Sequence, residues 1–200
     1  MIIVKVILMF MFYGFLGYVY EMIHMRITTK ELVNRGFLNG PIIPVYAVGS
    51  LSIIFLLDKV KSNFLLTLIC ITLICSVVEY ITGFILEKIF KIRWWDYSDK
   101  AFNIHGRVCP NTMSQFVLLA LIALYFINPI FIKVLDNTNE NVLIGLSVFL
   151  FVIFICDVIL SNVIVINFLK TDTGDRIDKT PTIRKYTKTY LKSKVRKKSR

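Results

Sequence analysis

Three carboxyls stand in apolar sequence, where carboxyls are expensive. Glu79 is the single charged residue within residues 64–86, Asp157 lies inside the run 141–169, and Glu21 falls near the end of the first run, 2–23. A carboxyl in hydrocarbon normally faces a partner, a proton path or a polar cavity. Glu21 and His24 are three apart and share one helical face. Glu79, Gly83 and Glu87 step along the third run toward its polar end, and Gly83 would let another helix come close beside them. Arg35, Asp96, Asn103, His105 and Arg107 fall in the two longest polar connections. Together Glu21, His24, Arg35, Glu79, Glu87, Asp96, Asn103, His105 and Arg107 have the chemistry to polarise a phosphate ester, bind a cation or pass protons. The plainer alternative pairs Glu79 with Arg107 or Arg35 only to lock the loops onto the helices, a contact costly to break from one side.

Asp157 admits two readings as well. It is a pathway carboxyl, or it makes a hydrogen-bonded contact with Ser147, Gln115 or a neighbouring protomer; the structural version is slightly favoured. No metal site is expected, because the two histidines come from separate segments and no HExxH or two-histidine helix exists. Cys70, Cys75, Cys109 and Cys156 show no CxxC spacing, which argues against disulfides and a zinc cluster. Gly36 and Gly40 lack the following lysine of a phosphate loop. No cofactor is implied.

The elements that carry these groups are membrane helices. Hydrophobic residues make up 56% of the 200, and a hydrocarbon core of about 30 Å needs roughly 20 apolar residues per crossing. Five runs meet or approach that requirement: 2–23, 41–57, 64–89, 111–132 and 141–169. The first lacks a small-residue cleavage site and reads as a retained helix. The second is short, and Pro41 and Pro44 suit either its first turn or a partly re-entrant entry. Pro110 opens the fourth, and Asn128-Pro129 bends or ends it. The expected fold is all-α, a polytopic bundle of about five crossings, with residues 1–170 as the membrane domain and 171–200 as a basic tail.

Basic residues orient it. They crowd the connections after the first and third runs and the tail, whereas the connections after the second and fourth hold only Lys59, Lys61 and Lys133. Positive charge concentrates in the cytoplasm, so five crossings put the N-terminus outside and the C-terminus inside. Residues 171–200 carry 11 basic and 3 acidic residues of the chain's 24 and 13. Ile183, Tyr186, Tyr190 and Val195 recur at helical spacing there, as in an amphipathic helix lying on anionic lipid headgroups. An ordinary frayed tail is the alternative. Nucleic acid is not an expected partner, since no recognition module accompanies the charge. Trp94, Trp95 and Tyr97 belong chemically at a headgroup interface, and Asp96 beside them could hold Arg93 or an arginine of the other loop.

Several uncommon strings occur in one order: Phe12-Tyr13-Gly14-Phe15-Leu16-Gly17 with Glu21, Asn34-Arg35-Gly36-Phe37-Leu38-Asn39-Gly40-Pro41, Glu79-Tyr80 through Glu87, Arg93-Trp94-Trp95-Asp96-Tyr97-Ser98, and Phe102-Asn103-Ile104-His105-Gly106-Arg107-Val108-Cys109. Over about residues 8–130 the chain resembles the ABC transporter permease (type IV) family of bacterial integral membrane proteins. Tyr18 and Pro110 depart from the family's pattern, at uncharged positions. The resemblance implies a transport component of the bacterial cell membrane that works with a separate ATPase subunit. Five helices make a thin pore, so a homodimer is expected. Two other readings stay open. One is an enzyme or binder acting on lipid headgroups at the cytoplasmic face, although no nucleophile has an evident base. The other is a structural membrane protein with buried ion pairs.

Overall fold

Apolar runs of this length must satisfy their backbone internally, and helices do so. In a computed structural model, which describes residues 1–30 and 34–171, six α-helices form: α1 (Ile2–Thr29), α2 (Pro44–Leu57), α3 (Phe64–Phe90), α4 (Pro110–Ile122), α5 (Asn128–Asp136) and α6 (Glu140–Thr171). The proposed tail helix lies outside the described residues. Counting α4 and α5 as one rod, Pro110–Asp136, four helices are long and apolar enough to cross a membrane. α2 has 14 residues, or about 21 Å at 1.5 Å per residue, too little for a crossing alone.

A non-helical segment, residues 34–43, leads into α2. Helix α2 starts at Pro44 rather than at Pro41, and the segment before it descends between α1 and α6, with Leu38 fully buried. Irregular backbone at such depth persists only where protein satisfies it. Asn34 does part of this locally: its amide donates to the carbonyl of Leu38 at 3.1 Å and its oxygen accepts from the N–H of Gly36 at 2.8 Å. Gly14 of α1 does more, its carbonyl accepting from Ile43 N–H at 3.0 Å. Gly17, one turn on, leaves room for the Tyr46 ring, which a methyl there would strike.

The elements sort into two ends. At one, Lys5 pairs with Asp136, and the Tyr125 hydroxyl donates to the carbonyl of Lys61 at 2.7 Å. At the other, Phe37 and Trp94 close on Phe90, Val165 and Phe168. The turn after α2 therefore sits opposite the two long connections. Asn63 starts α3 by accepting from Leu66 N–H at 3.1 Å, the usual role of a capping asparagine.

Asn128-Pro129 does not end the fourth rod. A π-helical turn, Ala123–Ile127, precedes it and α5 continues to Asp136; the wider turn accommodates the donor that Pro129 lacks. Leu8, Met9, Ile53, Ile71, Leu124 and Leu143 fill the interior, and Phe12 stacks on Phe131 at 4.0 Å. Outward, α3 and α6 present bare apolar side chains such as Leu73, Phe149 and Ile159. In water that surface would be a liability, and in lipid it is matched.

Candidate functional site

The sequence-derived set separates into a cavity and a cap. The cavity, about 280 Å³, lies between α2, α3 and α4 and below the two long connections. Glu21, Arg35 and Glu79 line it. Glu21 is held by the Tyr46 hydroxyl, which donates to Oε1 at 2.7 Å. Glu79 is buried, at 4% exposure, eleven residues before the end of α3, or about 16 Å along its axis. It makes no salt bridge among the described residues, and its Oε2 has no hydrogen-bond partner. The pairing expected with Arg107 does not form, because Arg107 lies against Glu87 instead.

Tyr97 lines the same cavity beside Glu79. Burial first, and then the neighbouring Glu79 charge, push its phenol above the ordinary value, against an opposing hydrogen bond with Thr112. It therefore remains a neutral donor. Trp94 is buried at 7% exposure rather than standing at a headgroup interface, and its indole N–H also lacks a partner. Two of the residues that line the cavity thus carry a buried polar atom without a partner, one a donor and one an acceptor.

The cap contains Glu87, Asp96, Asn103, His105 and Arg107. Glu87 bridges two arginines, Arg107 at 2.7 Å and Arg93 at 3.1 Å. Asp96 receives Arg93 at 3.3 Å and the Ser98 hydroxyl at 2.6 Å. Burial alone would raise the Asp96 carboxyl; the Ser98 hydroxyl and amide and the Arg93 charge outweigh it and hold it below the usual aspartate value. Asn103 ties the loop to itself through the carbonyl of Lys100 at 2.8 Å and the N–H of Gly106 at 2.9 Å. Gly106 has φ +69 with Asp96 and Ser98 pressed against it, which requires glycine. Arg107 lies over the Tyr80 and Phe84 rings, and the Trp95 indole donates to its carbonyl at 2.9 Å. Gly83 admits Trp95 and Arg107 of this cap, not another helix.

Neither histidine lines the cavity. His24 stacks on Tyr20, 5.8 Å between centroids, away from the cavity lining. His105 is exposed and meets the Tyr80 hydroxyl at 3.1 Å.

Asp157 belongs to the descending segment. Its Oδ2 accepts from Gly40 N–H at 2.9 Å and its Oδ1 from the Ser161 hydroxyl at 3.2 Å, while Ser161 Oγ accepts from both nitrogens of Asn39. Ser147 and Gln115 are engaged elsewhere, with the carbonyl of Ile144 and the Tyr20 hydroxyl. A Cβ at Gly40 would lie 2.8 Å from Asp157 Oδ2, so only glycine fits there without displacement. Sequence alone does not mark Tyr46 as the partner of Glu21, or Ser161 as the residue between Asn39 and Asp157. Tyr46 sits 25 residues from Glu21, and Asn39 is 122 from Ser161, separations at which spacing carries no signal.

The family described as "Putative ABC-transporter type IV" matches residues 8–162. The chain belongs to that family. It is accordingly a polytopic bacterial membrane protein of the ABC-transporter type, and membership implies association with an ATPase subunit. The match extends beyond the strings that suggested it and takes in Asp157 and Ser161. No curated protein and no solved structure matches the chain.

Proposed function

We propose that this family member is the membrane subunit of an ATP-driven transporter, and that the cavity between α2, α3 and α4 holds its cargo. Glu79 is the observation that carries the reading. An acceptor left unpaired in a buried setting costs on the order of 1–3 kcal/mol, more when charged. Asp157 demonstrates that this bundle can saturate a carboxyl at depth. An unsaturated one facing a cavity fits a group reserved for something that enters.

The end bearing the cap is cytoplasmic in this account, because the basic connections gather there. The N-terminus is then outside, the ATPase docks at the cap, and two copies assemble to enclose a pathway. The lipid-headgroup reading is weaker, since His24 and His105 lie outside the cavity lining. Extraction of the tagged full chain with its native lipid, followed by mass spectrometry, tests the proposal. An ATPase subunit should travel with it at fixed stoichiometry. Recovery of the chain free of any ATPase, under extraction that keeps known membrane complexes intact, would contradict it.

A further inference from the structure

The cavity wall limits what it can hold. Its aromatic side chains are Phe37, Tyr46, Trp94, Trp95, Tyr97 and Phe116, and its charged groups are Glu21, Glu79 and Arg35. Two carboxyl side chains against one guanidinium give a cation more places to bind than they give an anion. Aromatic faces attract cations, most strongly away from water. The unpartnered Glu79 Oε2 asks specifically for a hydrogen-bond donor. A quaternary ammonium has none to give, and a metal ion would find no cluster, since the described residues hold no group of three His, Cys, Asp or Glu side chains placed to bind one.

We infer that the cavity takes a protonated amine carried on an apolar body. The ammonium sits against Glu79 with its N–H directed at Oε2, and the body lies among the aromatic rings. The Trp94 indole N–H offers a place for one acceptor on the same molecule. This rests on the cavity being the cargo site, as proposed above, and it names the cargo's class.

The chain's two tryptophans, Trp94 and Trp95, both line the cavity, so intrinsic fluorescence of the purified full-length protein reports entry directly. Phenethylamine, phenethyl alcohol and hydrocinnamate form a cation, neutral and anion series on nearly one shape. At neutral pH the amine should give a saturable change, with affinity at least roughly tenfold above the other two. Glu79→Gln should reduce the amine's affinity by a similar factor and leave the alcohol's unchanged. Equal affinity across the series, preference for the anion, no saturable change, or full amine affinity in a folded Glu79→Gln protein would each overturn the inference. Should that variant fail to fold, the charge series on the parent protein still decides. Amine binding by a chain that recovers no ATPase would break the transport reading alone. An ATPase-bound chain indifferent to the amine would break this one alone.

Discussion

Asp157 and Glu79 both stand within the apolar stretch of a long helix, yet their surroundings are opposite. Asp157 accepts from the backbone of the descending segment and from Ser161. Glu79 faces a cavity with one oxygen unmatched. The first group holds together a stretch of chain that cannot satisfy itself, and its removal leaves buried donors orphaned. The second leaves an acceptor that the fold does not use. Burial and sequence context are therefore poor guides to the purpose of an intramembrane carboxyl, whereas its hydrogen-bond account separates the two roles.

The contrast can be broken most forcefully at Asp157. Asp157→Ala should lower stability by about 3 kcal/mol, because Gly40 N–H and Ser161 lose their acceptor; unfolding in mixed micelles measures it. Asp157→Asn, which keeps one oxygen, should recover part of that loss. A smaller effect is expected at Gly17→Ala, about 2 kcal/mol, since the new methyl strikes the Tyr46 ring and forces it to move. The same displacement frees Glu21 from its phenol, so a tyrosine hydroxyl exchange signal by NMR should change with it.

Within the cap, Arg107→Ala should cost about 1–2 kcal/mol in the same unfolding measurement, because it removes a part-buried ion pair together with the guanidinium's stacking on Tyr80 and Phe84. The smallest effect concerns acid. Asp96 is held below its ordinary 3.8 in the folded protein. Its contribution is therefore fully present above the unfolded value and is lost as pH falls through the folded one. Stability of the parent should decline below about pH 4, and Asp96→Asn should show a shallower decline over that range.

Much of the architecture was legible because hydropathy and length act locally. The four long rods, the short second helix with its open entry, and the Arg93–Asp96 contact all follow from neighbouring residues. The pairings that define function do not. Nothing near Asp157 in sequence announces Gly40 as its partner, and the choice of Glu87 over Glu79 by Arg107 depends on how the connection after α3 folds back. Trp94 is interfacial by residue type, but the closure of Phe37 and Phe90 around it buries the ring. The π-helical turn before Pro129 is likewise a property of the packed rod rather than of its proline alone.

The central claim is that Glu79 is kept for a ligand and not for the fold. Equilibrium unfolding of Glu79→Gln, in the same lipid and without ligand, tests it most directly. The amide keeps an oxygen for the Tyr97 hydroxyl and replaces a carboxyl that forms no salt bridge among the described residues, so the account predicts stability equal to or above the parent's. A loss approaching that of Asp157→Ala would show that Glu79 holds the bundle together, and would contradict it.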